Sequence, residues 1–247
     1  MIVNRDEEAR GPATSFALVA DAYERARPGY PEDAVRWLAG DEPCDVVDLG
    51  AGTGKLTRSL VALGHRVTAV EPLPEMLELL PSAAPGAFAL LGSAEVIPLP
   101  DASAEVVTAA QAFHWFDHAV ALPEIARVLR PDGRLALVWN VRDDREAWVA
   151  ELSEAIGSET VESADTEGVL EPSGLFGPLE MATFRFAQRL DRETLRDLVR
   201  SRSYCATKAR EEQEEILARV DRVFAEHASG DEIELPYVTE CFRAAKA

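Results

Sequence analysis

"VVDLGAGTGKLTRSL", residues 46–60, sets Gly50, Gly52 and Gly54 within five positions, between a short β-branched run and an amphipathic stretch. Glycines grouped in this way let a backbone approach a ligand closely, and their spacing decides which ligand. A phosphate-binding P-loop has a glycine, four residues, the Gly-Lys pair and then Ser or Thr. Here the first place holds Leu49 and the last Leu56. Without that hydroxyl there is no magnesium ligand, so the likeness of "GTGKLT" to a P-loop is accidental. The dinucleotide fingerprint needs a third glycine three residues after the second, for close helix packing under a pyrophosphate. That place is Lys55. What remains is G-x-G-x-G between a strand and a helix.

The stretches around it repeat one alternation. "CDVVDL" and "RVTAVE" are short, nearly continuous apolar runs, as expected of strands buried on both faces. The helix "KLTRSLVAL" lies between them. Helix "PEMLELL", strands "AFALLG" and "EVVTAAQ", helix "HAVALPEIARVLR" stopped by "PDG", and strand "LALVWN" follow. Ala121, Ile125, Val128 and Leu129 share one stripe and form the buried face of their helix. Strands alternating with helices predict a parallel sheet wound on both faces. Before this core, "TSFALVADAYERA" is amphipathic with Thr14 or Ser15 as N-cap, and "RPGYP" separates it from the helix "EDAVRWLAG". After it come a helix "REAWVAELSEAI" and an acidic stretch rich in Gly, Pro and Ser, "GSETVESADTEGVLEPSGLFGP", expected as an exposed loop or lid. Two strands, "ATFRFAQRL" and "IELPYVTECFRA", then flank helical segments at Arg192 to Ser201 and Ala209 to His227.

Composition narrows the partners. The chain has 247 residues, 47% of them apolar, and a formal charge of -19 from 44 acidic and 25 basic side chains. A nucleic-acid binder gains most of its affinity by neutralising phosphates, so this balance argues against RNA and DNA and for a small molecule. Cys44, Cys205 and Cys241 are widely spaced and fit no metal pattern, which reads as reduced intracellular thiols. The N-terminal "MIVNRDEEARGP" has no signal-like apolar stretch, and no later run is long enough for a bilayer. The expectation is a soluble cytoplasmic protein without a membrane partner; the oligomeric state is left open.

With strand, glycine loop and helix in place, "VVDLGAGTGKLTRSL" resembles the first motif of class I S-adenosylmethionine-dependent methyltransferases. "GSAEVIPLPDASAEVVTAAQAFHWFD" resembles the corresponding stretch of the ubiquinone/menaquinone-type, type 11 and trans-aconitate methyltransferase-like branches. The resemblance implies an α/β fold: one Rossmann-like, doubly wound, mostly parallel seven-stranded sheet with a C-terminal antiparallel strand and a helical cap insertion. It implies a single domain over 1–247, with an N-terminal helical cover (1–40), a cofactor-binding core (45–140) and sheet-closing strands with inserted cap helices (141–247). The implied cofactor is S-adenosyl-L-methionine, with Tyr30, Asp48, Gly50, Ala51, Gly52 and Gly54 around its methionine and ribose portions. A helix N-terminus behind the glycines suits its carboxylate. Glu71, about twenty residues after the loop, would accept both ribose hydroxyls, with Pro72 and Leu73 just beyond it. Leu73, Ser93, Ala94 and Glu95 would line the adenine. Many relatives carry Asp at the place of Ser93; Ser accepts there more weakly. Gln111, Ala112 and Phe113 follow the fourth strand beside the methionine end.

The implied reaction is in-line methyl transfer, in which orientation alone is worth roughly 7–11 kcal/mol, so neither a metal nor a covalent nucleophile is required. His65, His114, His118 and His227 show no ligand-like spacing. His114 stands at a strand's C-terminal end, where open α/β sheets bind ligands. It is a general base if the acceptor is a hydroxyl, and only a positioning group if the acceptor is a carboxylate or thiolate. O-, C- and carboxyl-methylation all stay open. Trp115, Trp139 and Asn140, with Tyr23, Arg202 and Tyr204, are expected around the acceptor. Two alternatives remain: a non-catalytic S-adenosylmethionine-binding regulator or subunit, and a nicotinamide-dependent oxidoreductase, against which the missing third glycine counts.

Overall fold

The computed structural model describes residues 26–156, 166–201, 205 and 207–247. The β-branched runs form the centre of the sheet. β1 (Asp45–Leu49) pairs in parallel with β2 (Arg66–Glu71) on one side and with β4 (Ala104–Ala110) on the other. β3 (Phe88–Leu91) extends the sheet beyond β2, and β5 (Leu129–Arg142) lies parallel to β4. β7 (Glu232–Ala245) and β6 (Glu180–Asp191) complete the order β3-β2-β1-β4-β5-β7-β6. The sheet is thus seven-stranded and mixed, mostly parallel with antiparallel C-terminal strands, in the expected Rossmann-like form.

Period-two alternation explains the winding on both faces. Val47, Leu49, Val107, Ala109, Leu135 and Leu137 join one buried cluster with Ala121, Leu122 and Ile125 of α5 (His118–Val128). Their neighbours Val46, Val67, Val106, Ala136 and Val138 join another. That one includes Val35 and Leu38 of α1 (Glu32–Ala39) and Leu56 and Leu60 of α2 (Lys55–Ala62).

The local differences from expectation have local causes. Pro81 divides "PEMLELL" and its continuation into two single turns, α3 (Pro74–Leu77) and α4 (Leu80–Ala83). Leu129 is buried with the α5 stripe, yet it caps that helix in an extended conformation and opens β5. The register against β4 steps from Ala104↔Leu129 to Val106↔Arg134, so "PDG" is looped out of the ladder. The acidic stretch expected as an exposed lid is helical from α7 (Thr166–Leu170) through a 3-10 turn at Glu171–Ser173. Leu170 and Phe176 anchor it in the first cluster. The sequence missed this because only a few apolar residues make the anchor. Residues 157–165 of that stretch lie outside the described residues, as do Tyr23, Arg202, Tyr204 and the proposed cap at Thr14 or Ser15.

Two compact units divide the chain. One comprises Gly29–Val141, Thr160–Phe186 and Tyr237–Ala247 and holds the glycine loop. The other comprises Arg142–Glu159 and Ala187–Pro236 with the chain up to Pro28. Within the second unit, α8 (Arg192–Arg200) starts at Asp191, whose side chain accepts from Thr194 N–H. Arg196 of α8 pairs with Asp221 of α9 (Arg210–His227) at 2.6 Å, and Arg219 donates to the Ala155 carbonyl of α6 (Ala147–Ile156). Arg27 donates from Nε to the Ser201 hydroxyl and from Nη2 to the Ser201 carbonyl at the end of α8. Among the described residues no helix is long and apolar enough to cross a membrane.

Candidate active site

The turn after β1 runs through the left-handed region at all three glycines, with φ of +62° at Gly50, +57° at Gly52 and +87° at Gly54. Two of them are also held by packing. A Cβ on Gly50 would stand 2.8 Å from Ala112 Cβ, and one on Gly54 2.7 Å from Leu80 Cδ2. At Gly52 nothing lies within 4 Å of that position, so the loop is closed beneath Gly50 and Gly54 and open at Gly52. Gly50 N–H and Ala51 N–H both donate to the Val70 carbonyl of β2, which lays the loop across the strand end that carries Glu71.

Glu71 is 4% exposed. Its Oε2 accepts from Gly52 N–H at 2.8 Å and its Oε1 from Leu73 N–H at 3.0 Å. Burial pushes its carboxyl above the ordinary range, these two donors pull it back, and the charge of Asp48 adds to the rise. A carboxylate has about four lone-pair sites, so one remains on each oxygen for a pair of vicinal hydroxyls. An open glycine beside such a carboxylate fits the ribose end of S-adenosylmethionine.

Asp48, expected as a cofactor contact, is 1% exposed and already committed. Oδ2 accepts from the Thr57 hydroxyl of α2 at 2.6 Å and Oδ1 from the Thr108 hydroxyl of β4 at 2.8 Å. Burial raises its carboxyl to about 6 against the pull of both hydroxyls and of Thr57 N–H. Its side chain therefore braces the first turn of α2 from inside, and takes one of the helix N–H groups that the sequence reading left for the cofactor's carboxylate.

At the end of β4, Gln111 adopts a φ of +57°, a conformation that costs a non-glycine residue roughly 1–2 kcal/mol. This turn brings Ala112 against Gly50 and starts the 3-10 turn Phe113–Trp115. Phe113 is 2% exposed, in edge-to-face contact with Phe116 and stacked on His118, whose Nε2 donates to its carbonyl. Its side chain belongs to the core and leaves only its backbone for a ligand. His114 is half-buried, with its ring 4.8 Å from that of the exposed Trp115. Burial, and then the neighbouring His118, hold His114 below the ordinary histidine range, so it is neutral at pH 7. Its Nδ1 is buried and has no hydrogen-bond partner among the described residues. Ala94 is buried, and Ser93 and Glu95 are half-buried in the turn after β3. Glu95 Oε1 accepts from Asp117 N–H at 2.9 Å, joining the expected adenine side to the start of α5. Pro72 is exposed, while Leu73 and Tyr30 are half-buried.

Two expected acceptor contacts have other work. Trp139 is 2% exposed and packs edge-to-face on Phe242 in the core. Asn140 is 7% exposed, and its side chain bridges Gly29 and Thr239. Both sit on a strand buried on two faces, where a polar or aromatic residue looks the same in sequence whether it faces a ligand or the interior. Glu151, Glu226 and His227 place ligand atoms within 4.8 Å of one another from two helices, a grouping invisible to linear spacing; all three are exposed. The second unit also has a cleft of about 470 Å³ lined in part by Arg192, Phe224 and Asp231, none of them an expected site residue.

Residues 47–137 match the family model described as "Methyltransferase domain". An uncharacterized methyltransferase of Mycobacterium tuberculosis is 47% identical over 241 residues, covering 96% of this chain and 98% of the relative. The chain belongs to the methyltransferases. It is a class I, S-adenosylmethionine-dependent member of that family. A structure assigned to a type II methyltransferase of Anaeromyxobacter dehalogenans superposes with a TM-score of 0.69 at 26% identity, covering 89% of this methyltransferase and 97% of that chain. A malonyl-[acyl-carrier protein] O-methyltransferase of Methylococcus capsulatus is 36% identical over 140 residues, 52% of this chain and 51% of that one.

Proposed function

We propose that this methyltransferase methylates oxygen on a small-molecule acceptor, with His114 taking the proton of an acceptor hydroxyl. The observation that carries the reading is His114 itself: neutral, half-buried, at the C-terminal end of β4, with Nδ1 unpartnered among the described residues. A general base must be deprotonated at working pH and must have a nitrogen free to receive the proton. S-adenosylmethionine, when bound, supplies an activated methyl group. The chain has to orient the acceptor and exclude water, and Trp115 offers an exposed apolar wall next to His114 for both tasks. Gly50, Ala51, Gly52 and Gly54 hold the cofactor by backbone, Glu71 by carboxylate, and the Leu73 and Ser93–Glu95 turns flank the adenine. The formal charge of -19 supports a small acceptor over a nucleic acid. By its motifs the chain resembles the trans-aconitate methyltransferase-like branch.

The name of the Methylococcus relative favours a second reading, in which the accepting oxygen is a carboxylate and His114 only positions it. The two readings part on His114→Ala. Assayed by S-adenosylhomocysteine release against panels of hydroxyl and carboxyl acceptors, the variant should lose at least about 100-fold in kcat in the first reading. In the second it should lose only a few-fold, and in both the affinity for S-adenosylhomocysteine stays within a few-fold. The pH profile separates them again. Because the imidazole lies below its ordinary 6.5, wild-type kcat should decline only on acidification beyond that value, and His114→Ala should lack that limb. Full activity in the variant removes His114 from the reaction.

A further inference from the structure

The backbone carbonyl and both side-chain polar groups of Asn140 are used, and each reaches a different part of the same unit. Its carbonyl accepts from Gln111 Nε2 at 3.3 Å, after β4. Its Nδ2 donates to the Gly29 carbonyl at 2.9 Å, one residue before Tyr30. Its Oδ1 accepts from the Thr239 hydroxyl of β7 at 2.7 Å. The amide orientation is fixed by chemistry, since a carbonyl can only accept; nitrogen must face Gly29 and oxygen must face Thr239. Thr239 is fully buried and Asn140 nearly so, and a buried amide with an unmet group costs stability.

Both residues that Asn140 holds lie outside helix and strand. Gln111 keeps a left-handed φ of +57° that its own chemistry disfavours, pinned by its N–H on the Val138 carbonyl and its side chain on the Asn140 carbonyl. Strain of this kind persists only where the surroundings over-determine it, and it gathers at functional sites. Gly29 lies in "RPGYP", before α1 begins, where no helix or strand hydrogen bond fixes it.

We propose that Asn140 is a positioning residue: it latches Gly29–Tyr30 and Gln111 to the end of β5, so that cofactor affinity depends on it without contact. The proposal rests on the reading that Tyr30 and Gln111 face the cofactor. Asn140→Asp tests it with a change of one atom. The carboxylate still accepts from Thr239 but opposes the Gly29 carbonyl, acceptor against acceptor. Calorimetric titration with S-adenosylhomocysteine should show Kd raised by about tenfold or more at neutral pH, the size of one lost hydrogen bond. Steady-state kinetics should place the loss in KM for S-adenosylmethionine, with kcat at saturation within a few-fold.

Acidification supplies the rescue. A protonated carboxyl carries one donor and one acceptor, enough for the two bonds the amide makes to Gly29 and Thr239, so the variant's Kd relative to wild type at the same pH should fall as the introduced carboxylate protonates. A purely structural role would leave that ratio flat. Tyr30→Ala is the independent arm, should Asn140→Asp fail to fold: it should raise Kd comparably, and the double variant should not add to it. Equal Kd for wild type and Asn140→Asp at every pH, or an unchanged Kd in Tyr30→Ala, overturns the latch. Failure of the wild type to bind S-adenosylhomocysteine refutes the latch and the cofactor site together.

Discussion

Glu71→Ala separates two roles that one carboxylate holds at once. Its oxygens accept from Gly52 and Leu73 N–H groups, and with the cofactor bound they would accept two ribose hydroxyls as well. Hydrogen bonds to a charged acceptor are worth about 1.5–3 kcal/mol each. Water can replace part of that once the side chain is gone, which leaves an expected loss of about 1–3 kcal/mol in binding, or roughly 5- to 150-fold in Kd. Folding is affected too. At 4% exposure the residue is part of the loop's framework. Two backbone donors lose their acceptor, while the burial cost that raises the carboxyl's pKa disappears. The difference should be a destabilisation of about 1 kcal/mol, or roughly 2–4 °C in Tm for a chain of this size. Calorimetry with S-adenosylhomocysteine and thermal melting on the same preparation read both numbers. A lower Tm with unchanged Kd refutes the ribose role and leaves Glu71 a brace for the glycine loop. Tight binding of NAD by the wild type, with none of S-adenosylhomocysteine, would refute the site as a whole.

Gly50→Ala should cost about 2–4 kcal/mol, because left-handed strain adds to a 2.8 Å approach to Ala112 Cβ that only backbone movement relieves. Gly52→Ala should cost only about 1–2 kcal/mol of strain and yet weaken S-adenosylhomocysteine binding more, since its new methyl occupies the open side of the loop; denaturant melts and calorimetry on the pair would contradict this if the order of affinities were reversed. Asp48 has a folded pKa of about 6 against an ordinary 3.8, so the folded state favours its protonated form. Its contribution to stability is therefore full below 3.8 and is lost as pH rises through about 6. Asp48→Asn, which has no such titration, should remove that slope from urea-melt ΔG measured across the window, and an unchanged slope assigns it to another group.

The strands, their order along the chain and the glycine loop were legible because each rests on local or periodic signals. "CDVVDL" and "RVTAVE" are short, β-branched, nearly continuous apolar runs, as doubly covered strands are, and G-x-G-x-G excludes two phosphate loops by spacing alone. Both flanking strands of the C-terminal region and the helices α8 and α9 were read within a residue or two for the same reason. What each polar residue does at a strand end was not legible. Asp48, Glu71 and Asn140 are all acids or amides at the ends of apolar runs, and sequence assigns them alike to the ligand. For Asp48 and Asn140, partners Thr57, Thr108, Gly29 and Thr239, 9 to 111 residues away, turn the side chain to the interior, whereas Glu71 accepts from Gly52 N–H, 19 residues away, and keeps lone pairs for a ligand. Phe113 and Trp139 were likewise indistinguishable from pocket walls until packing buried them. Periodicity reports which face of an element is covered, whereas hydrogen-bond partners across elements are set only when the sheet order brings distant residues within about 3 Å of one another.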